Sequence, residues 1–409
     1  MSSAYDAIII GGGPAGLFCA ANLRGCKTLL IEKMKLPGRK LLITGSGQCN
    51  ITHGGEIREF AKHYGEHGNF LKPVLAAFSN KDMIDFFTAR NVPCIETPAE
   101  KVFPKSLAAD DILDALLEAC DEAGVEFRYE EPVVSVAKTE SGFAVKTPFG
   151  TFHGKNVVLA CGGKSYPKTG SAGDGYAFAE SLGHTVTEVK EALTPVYVSN
   201  FALADLSGIS IPNAGVIVWR GGKKVAGHFG DVLITRFGFS GPGILDPSRF
   251  MQAGDILRLN FVQMSPDEFE ALLLERCAKE GARQVSNLLY QTGCPERLVK
   301  EICESTGIGT ITGGQLSAAA RKKLVRALTS YEVEIGRLGG FDAAMCTAGG
   351  VNLNEINKKT FESKLVPHLF FAGEICDIDG DTGGYNIQSA FSSGFAAAKK
   401  IGEYVNAGL

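Results

Sequence analysis

The sequence predicts an α/β fold in which a parallel-sheet domain is interrupted by an inserted β-barrel-like domain and a helical subdomain. Three observations predict it. Residues 5–32 run as an apolar strand, a glycine-rich turn, a helix and a second apolar strand. A strand–glycine–helix unit returns at 369–401. Between the two, the pattern changes near Pro195 to short alternating segments and near 265 to helical periodicity. The expected boundaries are 1–194 for the first part of the sheet domain, 195–263 for the β domain and 264–329 for the helical insert. Residues 330–341 then return to the β domain, and 342–409 complete the sheet domain.

A chain of 409 residues exceeds what one core usually holds, so more than one domain is expected. Hydrophobic content of 45% and charged content of 21% describe an ordinary globular protein. A net charge of −4 gives no global attraction to nucleic acid or an anionic membrane. No apolar run nears the ~18–20 residues of a membrane helix. Ala7–Ile10 is too short for a signal peptide and has no basic region before it. A cytoplasmic protein away from the membrane is expected. The 11 cysteines include no CxxC pair and no Cys/His cluster at ligand spacing, so neither disulfides nor a metal site are expected.

The first strand, Tyr5–Ile10, leads into Gly11-Gly12-Gly13-Pro14-Ala15-Gly16, which fits GxGxxG. A helix from Pro14 to Leu23 and a strand Thr28–Ile31 ending in Glu32 complete a Rossmann-type β–α–β unit. Gly11 makes the turn, Gly13 lets backbone NH groups reach a pyrophosphate, and Gly16 allows close packing. Pro14 and Ala15 open the helix, whose N-terminus favours phosphate. Glu32 is placed to accept the adenosine ribose hydroxyls and would repel a 2′-phosphate. This unit alone does not separate FAD from NAD.

Four later segments favour FAD. Gly38-Arg39-Lys40 supplies charge for a phosphate, and Ile43–Asn50 (Gly45, Gly47, Gln48, Cys49 and Asn50 within it) is a glycine-rich loop able to lie against a flat ring. Val157–Cys161 with Gly162-Gly163 is a strand ending in glycines. Leu369–Ala372 with Gly373-Glu374 is another, followed by Gly383-Gly384-Tyr385-Asn386 and an apolar helix Ile387–Ile401. A chain that leaves the first fold near 190 and returns at 369 suits the longer ribityl and flavin portion of FAD. A helix starting near Gly384 would aim its positive end at the flavin edge where negative charge gathers on reduction. Lys33, Leu41, Val134, Ala160, Asp174 and Ile387 complete the expected cofactor contacts. Binding is expected to be non-covalent.

On these motifs the chain resembles the bacterial BaiN/RdsA-like, or aminoacetone-oxidase-like, NAD(P)/FAD-dependent oxidoreductases. The resemblance runs along essentially the whole chain. It is carried by GRKLLITGSGQCNITH at 38–53, VFPKSLAADDILDAL at 102–116 and ACGGKSYPKTGSAGDGYAFAESLGH at 160–184. CTAGGVNL at 346–353 and ESKLVPHLFFAGEICDIDGDTGGYNIQSAFSSG at 362–394 add to it. It implies a glutathione-reductase-like FAD domain with the inserted arrangement above. Gln48 stands where many relatives carry arginine, so no role of that arginine transfers, and Cys161 stands where threonine is common.

In the middle of the chain, 81–90 and 108–123 have helical amphipathicity, and 125–129, 132–138 and 142–153 read as a strand meander before a strand at 156–160. Ala214–Trp219, Lys224–Phe229 and Ile256–Phe261 read as strands of the β domain. Pro266–Lys279, Ala282–Thr292, Glu296–Thr306 and Ala318–Leu328 read as helices. Arg321-Lys322-Lys323 and Arg326 form a basic run that a solvated helix face explains, with an RNA-phosphate contact as the alternative. That alternative is kept because some members of the resembled family act on ribosomal RNA.

Flavin supplies hydride chemistry, and the protein supplies orientation and charge. Cys49 has no partner cysteine a few residues away, so a dithiol mechanism is not expected, and no second GxGxxG follows a strand. NAD(P)H is therefore expected as a transient donor. Reduction of a C=C bond also needs a proton donor, and Tyr385, Cys49 and His53 are the named candidates, with Cys376 beside them. The leading expectation is hydride transfer to an activated C=C bond of a small unsaturated substrate. An rRNA dihydrouridine synthase, a small-amine oxidase and a non-enzymatic flavin-binding protein are the alternatives.

Overall fold

The structure is a computed structural model that describes residues 4–290 and 292–408. The chain divides into two compact units: the residues up to Glu191 together with those from Met345 onward, and Ala192–Ala344.

The first unit is built on a seven-stranded sheet. Tyr5–Ile10 lies parallel between Thr28–Ile31 and Gly150–Leu159, and Glu126–Arg128 extends the sheet beyond Thr28–Ile31. The central strands are near-continuous apolar runs because both faces of a parallel sheet are covered. Ile8, Ile9, Leu29, Leu30, Val157 and Val158 are all fully buried.

One edge of Gly150–Leu159 is shared. Its first half pairs antiparallel with Gly142–Thr147, which continues to Ser135–Thr139. Its second half receives Leu369–Phe371 in parallel, with Phe370 opposite Val158. The predicted run 142–153 is thus a hairpin, 142–147 and 150–159, turning at Pro148-Phe149.

The helices follow local signals. Asn80–Thr88 starts at a Ser79/Asp82 capping box, and Ala109–Glu122 buries Ile112, Leu113 and Leu116. Among the elements that escaped the sequence reading are a helix and a small sheet. Gly68–Ala77 is a helix despite Pro73, and Thr52–His53, Lys101–Pro104 and Cys94–Glu96 form a small antiparallel sheet. These strands are two to four residues long, too short for periodicity to register. The C-terminal helix spans Tyr385–Asn406, longer at both ends than expected. It packs on the first helix, Pro14–Ala21, at small residues: a Cβ on Gly394 would lie 2.5 Å from the Ala15 carbonyl oxygen.

The second unit holds a closed six-stranded antiparallel barrel. Its order is Val196–Val198, Gly238–Ser240, Lys223–Ile234, Ser210–Arg220, Ile256–Asn260 and Tyr331–Leu338, which returns to the first. Val216, Val218, Leu257 and Leu259 alternate inward and are buried. Pro266–Lys279, Glu296–Ser305 and Ala318–Thr329 are helices close to the expected bounds. The expected Ala282–Thr292 helix shrinks to Val285–Leu289, with Gln291 outside the described residues. No helix among the described residues is long and apolar enough to cross a membrane.

Candidate functional site

The glycine turn after the first strand has three differently used glycines. Gly11 has φ +110°, and a Cβ there would lie 2.4 Å from the Ala160 oxygen. A Cβ on Gly16 would lie 2.0 Å from the Gly11 oxygen. These two are required by packing. At Gly13, by contrast, a Cβ would meet nothing within 4 Å. Gly13 also stands at the N-cap of Pro14–Ala21, with no side chain capping that helix end. An open cradle beside uncapped backbone NH groups fits a pyrophosphate.

Glu32 is buried, and its carboxylate accepts the Gly12 amide at 2.7 Å and the Met34 amide at 2.8 Å. It therefore braces the glycine turn from the end of the second strand. Lys33 pairs with Asp174. Arg39 is exposed, whereas Leu41 is buried in the core. Val134 is exposed, and its amide donates to the Lys146 carbonyl at 2.7 Å.

A second cluster gathers Lys40, Ser165, Thr347 and Glu374. Glu374 forms an ion pair with Lys40 and accepts the Ser165 hydroxyl and the Thr347 amide, each at 2.9 Å. The Thr347 hydroxyl accepts the amides of Lys164 and Ser165 at 2.8 and 3.1 Å. Gly163 is needed for this approach, since a Cβ there would lie 2.4 Å from the Thr347 hydroxyl. Ser165 and Thr347 were missed in the sequence, although both lie within the long glycine-rich motifs. Tyr176 was missed too. Its hydroxyl is buried without a hydrogen-bond partner among the described residues. Burial raises its pKa well above the usual 10, and the carboxylates of Glu374 and Asp377 add to that.

The loop 44–50 is left-handed at Gly45, Ser46, Gly47 and Cys49. Two non-glycine residues in this region store local strain, a feature of ligand-facing loops. Gln48 is exposed at its rim. The Asn50 side-chain amide donates to the carbonyls of Thr52 and Val102 at 2.8 and 3.0 Å, so Asn50 holds the loop to its neighbours. Cys161 packs against Gly175, its thiol directed to the Ile10 carbonyl, and is pushed up to about 12 by burial.

At the start of the C-terminal helix, Gly384 has φ +100° and would place a Cβ 2.5 Å from the Thr52 carbonyl. The turn is further fixed by Asn386, whose side chain accepts the Gly380 amide and donates to the Gly380 carbonyl. Ile387 is partly buried against the main core. Gly373, at φ +76°, lies against Ala15.

Beside Gly383-Gly384 sits a group of near-parallel rings. Tyr385 stacks with His63 at 4.1 Å between centroids and with His53 at 4.9 Å. Phe60 meets Tyr385 edge-on, and the Tyr64 hydroxyl donates to the Tyr385 carbonyl at 2.7 Å. His63 Nδ1 lies 3.0 Å from the Asp381 carboxylate, and His67 Nε2 lies 3.6 Å from Asp377. The structure thus joins two candidate proton donors, Tyr385 and His53, and adds His63, which the sequence did not single out. The other two candidates are closed off from solvent. Cys49 is fully buried in the apolar core and burial pushes its thiol up to about 12. Cys376 is also fully buried, and burial raises its thiol still further.

This architecture matches a known group. Residues 5–400 match the family described as HI0933-like protein Rossmann domain. The chain belongs to the HI0933-like family. It is 33% identical over 403 residues to a ribosomal RNA dihydrouridine synthase of Escherichia coli (strain K12), covering 97% of this chain and 98% of the relative. It is 28% identical over 410 residues to a 3-dehydro-bile acid delta(4,6)-reductase of Clostridium scindens, covering 97% and 98%. The fold is shared with a quinol-fumarate reductase at a TM-score of 0.52 and 13% identity, over 99% of this chain and 72% of that one. This HI0933-like protein is a member of a family of FAD-dependent oxidoreductases, and its open Gly13 cradle with Glu32 behind it fits that cofactor.

Proposed function

We propose that this protein is an FAD-dependent reductase acting on a C=C bond conjugated to a carbonyl. The observation that carries the reading is the ring group of His53, Tyr385 and His63 at the glycine turn where the C-terminal helix begins. Bound FAD supplies a hydride, drawn from a transient NAD(P)H donor. Gly13 and the NH groups of the first helix would hold its pyrophosphate, and Glu32 its adenosine ribose. Lys40 and Glu374 would meet its middle portion, and the Gly383-Gly384 turn its ring end. The protein must also provide a proton for the second carbon of the double bond, a task worth ~10²–10⁴-fold in rate. Imidazole rings beside the ring end suit that task. Cys49 does not, because a thiol held near 12 in an apolar core neither meets substrate nor exchanges protons readily.

The two relatives' names support the same chemistry. Forming dihydrouridine saturates a C=C bond conjugated to a carbonyl, and so does a delta-4,6 reduction of a 3-oxo steroid ring. A small unsaturated carbonyl compound is the substrate favoured by the charge distribution. Along Ala318–Thr329, Arg321 pairs with Glu270, Arg326 pairs with Glu332, and Lys323 donates to the Thr306 carbonyl, so three of the run's four cations already have partners within the protein. Ribosomal RNA is the second reading, favoured by the 33% identity over nearly the whole chain.

The test is anaerobic. Holoenzyme is bleached with NADH or NADPH and then mixed with α,β-unsaturated ketones or with rRNA lacking dihydrouridine. Return of the yellow colour with saturated product supports the reading, and the acceptor that works names the substrate class. No bleaching by either nucleotide, or rapid return only with oxygen and peroxide release, overturns it.

A further inference from the structure

We propose that His63 is the acid that protonates the substrate carbon, and that Asp381 is the positioning residue that sets its tautomer. This rests on the reductase reading above. A carboxylate only accepts hydrogen bonds, so His63 Nδ1, at 3.0 Å from Asp381, carries a proton and donates it there. The other ring nitrogen, Nε2, is then the one that picks up a proton from solvent and gives it away. The backbone repeats the pairing, because the Asp381 amide donates to the His63 carbonyl at 2.9 Å. Stacking on Tyr385 at 4.1 Å, with the two planes 11° apart, fixes the ring orientation.

His53 lacks this arrangement. Its Nδ1 faces the Gly54 carbonyl at 3.2 Å, and it forms no ion pair with a carboxylate among the described residues. Tyr385 is 4% exposed, and its ring is a platform that both histidines touch, their own ring centroids lying 6.4 Å apart. The His63 side chain is 39% exposed and open to reprotonation. The titratable and charged groups around it are Asp381 from the loop before the C-terminal helix, His53 at 6.4 Å between ring centroids, the Glu59–Lys62 pair on its own segment, and the neighbouring His67–Asp377 pair. The step balances. One carbon of the double bond gains a hydride as the reduced cofactor is oxidised, the other gains the His63 proton, and neutral His63 recovers a proton from water.

Two measurements test this. In cofactor-free protein labelled with ¹⁵N-histidine, neutral His63 is expected as the Nδ1–H tautomer, and Asp381→Asn is expected to lose that preference. A wild-type Nε2–H tautomer overturns the assignment. In holoenzyme, His63→Gln is expected to keep its FAD spectrum and its rate of bleaching by NAD(P)H within about twofold. It is also expected to keep reoxidation by ferricyanide, which needs no carbon protonation. Its reoxidation by the unsaturated acceptor is expected to fall by at least ~10²-fold. Asp381→Asn, nearly isosteric, should slow the same step alone by about tenfold, and reoxidation by the alkene at near wild-type rate in both variants overturns the proposal. Uniform loss of all three rates in both variants also overturns it. If wild-type enzyme reduces no activated alkene at all, the reductase reading fails instead.

Discussion

Glu32 and Gly12 are joined by a hydrogen bond from the Gly12 amide to the Glu32 carboxylate at 2.7 Å. The acid that would meet the ribose also holds the turn that would meet the pyrophosphate, so the two halves of the adenosine site are mechanically one. Glu32→Ala removes an acceptor from two backbone amides, one buried and one part-buried, and hydrogen bonds to a charged group are worth about 1.5–3 kcal/mol each. FAD affinity is expected to fall by at least ~10-fold with some loss of stability, read by fluorescence titration and thermal unfolding. Wild-type affinity in this variant would remove Glu32 from the site.

Two glycines separate fold from binding. Gly13→Ala places its Cβ in open space at φ −79°, so the apoprotein is expected to unfold within a degree or two of wild type while losing FAD. Gly384→Ala, at φ +100° and 2.5 Å from the Thr52 carbonyl, is expected to lose at least ~2 kcal/mol of stability. Thermal melts with and without FAD distinguish the two. Equal loss of stability in both would contradict the open cradle.

Cys49→Ala is expected to keep wild-type rates of alkene reduction within about threefold, because its thiol is buried and pushed up to about 12. Iodoacetamide at mildly alkaline pH should leave Cys49, Cys161 and Cys376 unlabelled in the native protein, as mass spectrometry of peptides would show. Rapid alkylation of Cys49 with loss of turnover would restore it as a catalytic candidate.

His184 is buried, with Nδ1 at 3.1 Å from Glu355 and Nε2 at 2.8 Å from the Ser363 hydroxyl. Desolvation lowers its affinity for a proton below the usual 6.5, more than Glu355 raises it. The unfolded chain therefore binds the proton first on acidification, and the stability this group contributes is present above pH 6.5 and falls as pH drops through it. Glu355 acts in the same direction further down. Desolvation raises its affinity, but the Thr185 and His184 contacts outweigh it, so its contribution is lost below the ordinary 4.5. Melting temperature is expected to fall between neutral pH and about pH 5. His184→Gln should flatten that slope while costing about 1–3 kcal/mol. A slope unchanged in the variant would refute the assignment.

The sequence by itself determined the glycine turn, the acid that braces it and the core sheet. Gly11, Gly13, Gly16 and Glu32 lie within one β–α–β stretch, so their spacing is set by local geometry that repeats wherever strand, turn and helix adjoin. The apolar strands were legible for a similar reason, since a strand covered on both faces must be apolar along its length. Only the tertiary structure decided which groups meet around the start of the C-terminal helix and at Glu374. His63 and Asp381 are 318 positions apart, and Lys40 and Glu374 are 334 apart. Neither pair has a spacing that periodicity can read. Their meeting depends on Leu369–Phe371 returning to the sheet and on Gly384 admitting Thr52 against the C-terminal helix. Cys49 was misread as a proton donor for the same reason, because a thiol's reactivity follows its burial, and that is fixed by segments distant in the chain.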